Sequence, residues 1–267
     1  MMEVVDSERV RACFDGGRPD IAALWELCVH FEWPDRAAAV DGIAAWLGPA
    51  DGLSVLDLAC GTGFPAIELA ARGYDMTCSD GSDLMLEHFR ANAARAGADL
   101  DAAQVLWHDL GEFYGRTFDV VMCRGGGSYL YAGTWDKDAE PDPAALSEAI
   151  GQFAAMVRPG GRLYLDIMHA DDLARREPAR TEHPPVSIGG RVVRLSETTV
   201  NHVESGTRTW RSTLVVDGSA YEFERRSHHM DHPALVEMLT GAGLTDVRPE
   251  AIPGEHYQVF TARRPEL

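Results

Sequence analysis

Val55-Leu56-Asp57-Leu58-Ala59-Cys60-Gly61-Thr62-Gly63-Phe64-Pro65-Ala66-Ile67-Glu68-Leu69-Ala70 reads as a buried strand, a glycine turn and the start of a helix. The strand is short, apolar and bounded by turn residues, as a central parallel strand should be. Gly61 and Gly63 allow a tight turn and close approach of the backbone to a ligand, and Pro65 is preset for a first helical turn. A ligand is therefore expected over Cys60 to Gly63.

A second strand over 75–79 ends in Asp80, about 20 residues past the glycines, where a carboxylate can accept hydrogen bonds from two ribose hydroxyls. That geometry specifies a nucleoside. A pyrophosphate fits less well, because Ala66 stands where a third glycine would be and no Gly-Lys-Ser/Thr follows. Asp57 at the carboxyl end of the first strand also favours a cationic ligand.

With these residues in place, Leu56-Asp57-Leu58-Ala59-Cys60-Gly61-Thr62-Gly63 and Asp80 resemble the S-adenosylmethionine site of the Rossmann-like, class I methyltransferases. The Arg158-Pro159-Gly160-Gly161-Arg162-Leu163 turn extends that resemblance. It implies an α/β fold: a doubly wound, mostly parallel seven-stranded sheet with S-adenosyl-L-methionine as cofactor and S-adenosyl-L-homocysteine as product. It also implies a cofactor site made of Trp25, Asp57, Ala59, Cys60, Gly61, Gly63, Asp80, Gly81, Ser82, Met85, His108, Asp109, Leu110, Cys123 and Arg124. Within that set Asp109 would read the adenine amino group, with the backbone at His108 and Leu110 beside it.

The 267 residues, 45% apolar and 25% charged, describe a globular chain of one large or two small domains with an ample core, and the methyltransferase resemblance implies a single domain. A net charge of -18 leaves no basic face for sequence-independent binding to nucleic acid. Five cysteines with no Cys-x-x-Cys point to thiols in a reducing compartment, with neither a disulfide framework nor a zinc site. The acidic start and the lack of a long apolar run predict a cytoplasmic chain without membrane contact. Oligomeric state is left open, a homodimer included.

In chain order, 1–50 is expected to be a helical lid, with amphipathic stripes over 21–31 and 35–47; a cap that only covers the sheet accounts for the same pattern. The cofactor-binding core is 51–170, with Val105-Leu106-Trp107-His108-Asp109 read as its third strand, 118–124 as its fourth and 162–168 as its fifth. Between the fourth and fifth strands, Gly125-Gly126-Gly127 marks close backbone approach at the edge where doubly wound sheets hold substrates. The span 171–185 reads as a linker. A three-stranded antiparallel meander completes an insert over 171–230, signalled by Asp217-Gly218. A helix from 233 and two strands return the chain to the sheet over 231–267.

The order of elements and the strings Phe14-Asp15-Gly16, Trp25-Glu26-Leu27, Cys123-Arg124-Gly125 and 228–239 resemble glycine and sarcosine N-methyltransferases. That resemblance implies methylation of a small-molecule amine. The features specific to glycine do not carry over. The family's Cys-x-Gly-Asn-Ser is interrupted here by Gly126 and Gly127, and its carboxylate-clamping arginine is missing after Asp166, where Ile167, Met168 and His169 follow. An acceptor other than free glycine, in specialised or natural-product metabolism, is expected. Phe14, Arg124, Tyr129, His169, His228 and His229 are the candidate acceptor-side residues. Of these His228, His169 and Tyr129 are the candidate catalytic groups, because a histidine can take a proton from the acceptor. An O- or C-methyltransferase with a histidine base, or a nucleoside-binding protein without activity, are the alternatives.

Overall fold

The computed structural model describes residues 2–15, 18–134 and 139–266, so Gly16 of the Phe14-Asp15-Gly16 string lies outside the described residues. Ahead of the first core strand stand β1 (Glu3–Val4), α1 (Glu8–Asp15), α2 (Ile21–Glu32) and α3 (Arg36–Leu47). The core follows as β2 (Ser54–Asp57), α4 (Ala66–Ala71), β3 (Asp75–Asp80), α5 (Asp83–Ala96), β4 (Ala102–Gln104), α6 (Leu110–Tyr114), β5 (Phe118–Cys123), α7 (Pro143–Met156) and β6 (Val157–Ile167). After α8 (Ala170–Ala174) come β7 (Ala179–Glu182), β8 (Val186–Ile188), β9 (Arg191–His202), β10 (Thr207–Val216) and β11 (Ser219–His228). Helix α9 (His232–Gly241) and strands β12 (Thr245–Glu250) and β13 (Gln258–Arg263) end the chain.

Local chemistry starts the helices where the sequence places them. Asp20, Asp35, Ser82, Asp142 and Asp231 each accept a hydrogen bond from a first-turn N–H of α2, α3, α5, α7 and α9. Such caps satisfy donors that the helix itself cannot.

Two sheets result. The larger runs β12-β13-β6-β5-β2-β3-β4, with β2, β3, β4, β5 and β6 parallel and β13 antiparallel to both of its neighbours. From β2 the chain winds outward through β3 and β4, then returns to β5 on the other side. The strand order therefore reverses between β2 and β5, where the carboxyl ends open a crevice. One face of this sheet packs against α7 and α9 through Phe153, Ile150, Leu235 and Leu239; the other packs against α3, α4 and α5 through Ile43, Leu69 and Phe89.

Three expectations need correction. The third strand ends at Gln104, and Trp107–Asp109 is a 3-10 turn. Its neighbour β3 stops at Asp80, whose carbonyl accepts the Val105 N–H as the last rung, so no backbone remains for residues 106–109 to pair with. The three long strands β9, β10 and β11 belong to a six-stranded sheet rather than standing alone, because β7, β8 and the N-terminal β1 join it. The span 171–185 accordingly holds α8 and β7 and is no plain linker. Among the described residues no helix is long and apolar enough to cross a membrane.

Candidate functional site

Helix α2 lies between the two sheets. Leu24, Leu27 and Cys28 pack towards the second sheet, while Val29 and the following Trp33 pack towards the first. Beside it, over the carboxyl ends of β2, β3 and β5, opens a cavity of about 440 Å³. This is room for a nucleoside and a small acceptor together.

The half nearer the first sheet is lined by Trp25, Leu58, Ala59, Gly61, Asp80, Gly81, Met85 and Trp107. Asp80 is 5% exposed, and its two oxygens accept the N–H groups of Gly61 and Ser82, each at 2.9 Å. Burial pushes its carboxyl up to about 6, against the pull of these backbone bonds. Asp57 lies behind the lining, accepts the Ala59 N–H at 3.2 Å, and is pushed by burial up to about 7. Two buried carboxyls beside one crevice suit a ligand that brings hydroxyl donors and positive charge. Trp107 donates from Nε1 to the Leu58 carbonyl at 2.9 Å, which ties the 3-10 turn to the end of β2.

The triple-glycine loop closes the next wall. Buried Asp166 accepts the N–H groups of Gly125 at 2.9 Å and Gly127 at 3.0 Å, with its carboxyl pushed by burial up to about 6. A Cβ on Gly125 would sit 3.1 Å from the Trp25 ring, and one on Gly126 would sit 2.7 Å from the Tyr257 ring. Any larger residue would push these aromatics aside.

Tyr257 leads to the cavity's central acid. Its hydroxyl donates to Glu32 Oε1 at 2.7 Å, while Glu32 Oε2 is buried without a hydrogen-bond partner. Burial pushes the Glu32 carboxyl up to about 8 although the tyrosine bond opposes it. A buried oxygen with no partner is costly unless a ligand satisfies it. Behind Tyr257, Glu255 accepts two bonds from Arg124, at 2.8 and 2.7 Å, one from Tyr164 at 2.6 Å and one from Trp33 Nε1 at 2.9 Å. These donors hold the Glu255 carboxyl below its usual range despite burial. The hub fixes the end of α2 and the 252–257 loop, and so sets where Glu32 and Tyr257 meet.

The second sheet supplies the far wall through alternate residues of three neighbouring strands. Asn201 pairs with Arg208, Thr199 with Trp210, and Trp210 with Arg225, so these side chains share one face. Further along that face Val193, Leu195, Leu214 and Val216 pack on α1 and α2. At the cavity the face turns polar: Glu197 accepts Trp210 Nε1 at 2.7 Å and lies 2.6 Å from His183 Nε2.

Of the cofactor-side candidates, the cavity brings together Trp25, Ala59, Gly61, Asp80, Gly81 and Met85. Cys60, Gly63, Leu110 and Cys123 are buried and not part of its lining, and Ser82 is spent capping α5. His108 and Asp109 are exposed on the 3-10 turn, 3.5 Å from each other and away from the lining. The six acceptor-side candidates stand elsewhere. Phe14 is core between α1 and the second sheet, Arg124 is committed to Glu255, and Tyr129 is 0% exposed in the core beneath α7. His169 lies 2.9 Å from the His256 carbonyl, His228 3.1 Å from that of Ala132, and His229 2.9 Å from that of Leu173. Burial lowers the His228 pKa, and its role in the fold is to tie β11 to the loop after β5. Among the described residues no cluster of three metal-binding side chains forms.

Sequence reasoning missed Glu32, Tyr257, Trp107, Arg208 and Arg225. Glu32 carried one signal: an acid ending a helix opposes the helix dipole, and such rule-breaking often marks function.

Residues 55–161 match the family model described as a methyltransferase domain. The chain is 28% identical over 204 residues to the glycine/sarcosine N-methyltransferase of Parasynechococcus marenigrum (strain WH8102), covering 76% of this chain and 67% of that one. Its fold is similar to that of DesVI from Streptomyces venezuelae, with a TM-score of 0.69 and 20% identity over 93% of this chain and 99% of the other. It is similar also to CalS10 with S-adenosylmethionine bound, an amino pentose methyltransferase from Micromonospora echinaspora involved in calicheamicin biosynthesis. There the TM-score is 0.63, with 20% identity over 99% of this chain and 100% of that one.

Proposed function

We propose, from the premise that this chain belongs to the class I S-adenosylmethionine-dependent methyltransferases, that it methylates an amine nitrogen of a small-molecule acceptor. The observation that carries the reading is the unpartnered Glu32 oxygen, buried in the cavity that the nucleoside half opens into. An amine reaches a protein as an ammonium, which has no lone pair to attack with. Glu32 Oε2 can accept an N–H from that ammonium and then take its proton, and a carboxyl poised near 8 is matched to this task. Tyr257 keeps the other oxygen occupied, so only Oε2 faces the acceptor.

When bound, S-adenosylmethionine supplies an electrophilic methyl group on a positively charged sulfur. Asp80 would hold the ribose, Trp25 and Met85 would flank the nucleoside, and ionised Asp57 would stabilise the cationic end. The absence of side chains at Gly125 and Gly126 lets Trp25 and Tyr257 pack against that loop, which would help align donor and acceptor for in-line displacement. The N-terminal helices, α2 above all, would act as the lid that keeps water out. The relative that matches over 76% of this chain is named a glycine/sarcosine N-methyltransferase, which supports nitrogen as the accepting atom. The lack of an arginine after Asp166 supports an acceptor other than free glycine, from specialised metabolism.

Methyl transfer from labelled donor to matched amines and alcohols on one scaffold tests this reading. Turnover of the amines alone supports it. Preference for the alcohols, retained when Glu32 becomes Gln, refutes it.

A further inference from the structure

The wall that the second sheet gives to the cavity holds a feature that amine methylation does not use. Arg208 and Arg225 project from adjacent strands on the same face, Arg208 two residues before Trp210 on its own strand and Arg225 directly opposite it. They are diagonal neighbours, about 7–8 Å apart at the backbone, so their long side chains can meet over one ligand. Arg208 contacts only neutral groups: the Met168 sulfur at 3.4 Å and the Thr199 hydroxyl at 3.5 Å. Arg225 donates to a single carbonyl, that of Glu224, at 3.1 Å.

Neither is in an ion pair among the described residues, whereas Arg175, which also lines the cavity, is 3.4 Å from Asp172. The chain carries 42 acidic residues against 24 basic ones, so carboxylates are abundant. Most arginines elsewhere use them, and Arg162 finds two carbonyls instead: Arg124 takes both oxygens of Glu255, and Arg162 takes the carbonyls of Trp46 and Leu47. Two half-buried guanidiniums side by side repel each other, and the planar fork of each matches the oxygens of a carboxylate or phosphate.

We infer that the acceptor carries an anionic group, a carboxylate or a phosphate, and that Arg208 and Arg225 hold it while its amine faces Glu32. The inference rests on the amine reading for its second half only. These arginines come from the meander, which makes up for the arginine missing after Asp166. They place the anion on the far wall, so the acceptor must span from that wall to the methyl group. A zwitterionic acceptor fits: a positive end at the acid, a negative end at the arginines.

Inorganic phosphate and sodium acetate, titrated at constant ionic strength into the complex with S-adenosylhomocysteine, test the site without knowledge of the acceptor. Tryptophan fluorescence reads the binding, since Trp210 is the neighbour of both arginines. The wild-type complex is expected to bind at least one of the anions saturably, and the tighter of the two identifies the group. Arg208→Gln and Arg225→Gln should each weaken that binding at least about tenfold. Arg211→Gln is the control and should leave it unchanged, because Arg211 points to the opposite face and pairs with Glu224 at 2.6 Å. Arg208→Lys and Arg225→Lys, which keep the charge, carry the test if a glutamine variant fails to fold.

Saturation by neither anion overturns the proposal, and so does binding that the arginine variants leave intact. Failure of the wild-type chain to bind S-adenosylhomocysteine would instead overturn the methyltransferase site itself, so the two failures are separable.

Discussion

Replacing Glu32 with Gln keeps the size of the side chain and an acceptor for the Tyr257 hydroxyl, and removes only the ionisable group. Burial raises the carboxyl from 4.5 to about 8 in the folded protein. The folded state therefore holds a proton that the unfolded chain gives up, and stability falls as pH rises through that window. At about 1.4 kcal/mol per unit, the cost reaches on the order of 3–5 kcal/mol above pH 8. Below pH 4.5 it vanishes. The Gln variant should thus unfold in urea like the wild type near pH 4.5 and be markedly more stable near pH 8.5. The same substitution should lower kcat by about 10² to 10⁴ and abolish the rising limb of the rate near pH 8. A stability difference that stays flat between pH 4.5 and 8.5, or turnover that survives with its pH dependence intact, would refute the reasoning.

Glu255→Gln leaves Arg124 buried without its countercharge, and should destabilise the fold by about 3–5 kcal/mol, read as a fall in the urea midpoint. Tyr129→Phe removes a buried hydroxyl that has no partner, so stability should hold or rise and turnover should be unchanged. His228→Ala should lower the melting temperature through its lost bond to the Ala132 carbonyl while kcat/KM, measured well below that temperature, stays within about threefold. A loss of turnover a hundredfold beyond the wild type in either variant would restore a catalytic role to that residue.

The half of the cavity nearer the first sheet was legible because its determinants are local. Strand, glycine turn and the acid one strand later are each set by a few neighbouring residues, and the parallel sheet fixes their relative positions. The third strand was misread for a similar reason: Val105 to Asp109 has strand-like residues, yet strand length depends on a partner, and β3 ends at Asp80. His228 and His229, expected on the acceptor side, are followed closely by His232 in one dimension. In three, each reaches a separate backbone carbonyl, those of Ala132, Leu173 and Met168. The half of the cavity nearer the second sheet was not legible, because Glu32, Glu197, Arg208, Arg225 and Tyr257 come from segments up to 225 residues apart. Their convergence depends on how the second sheet docks against α2, which no local pattern encodes.

The most direct measurement of the central claim is a calorimetric titration of S-adenosylhomocysteine into the wild-type chain and into Asp80→Asn. Saturable uptake of one ligand per chain is expected, stronger above pH 6 than below it as Asp80 ionises. The variant should lose at least about tenfold in affinity, since a charge-assisted pair of ribose bonds is removed. No uptake by the wild type, or equal affinity in both proteins, would contradict the account.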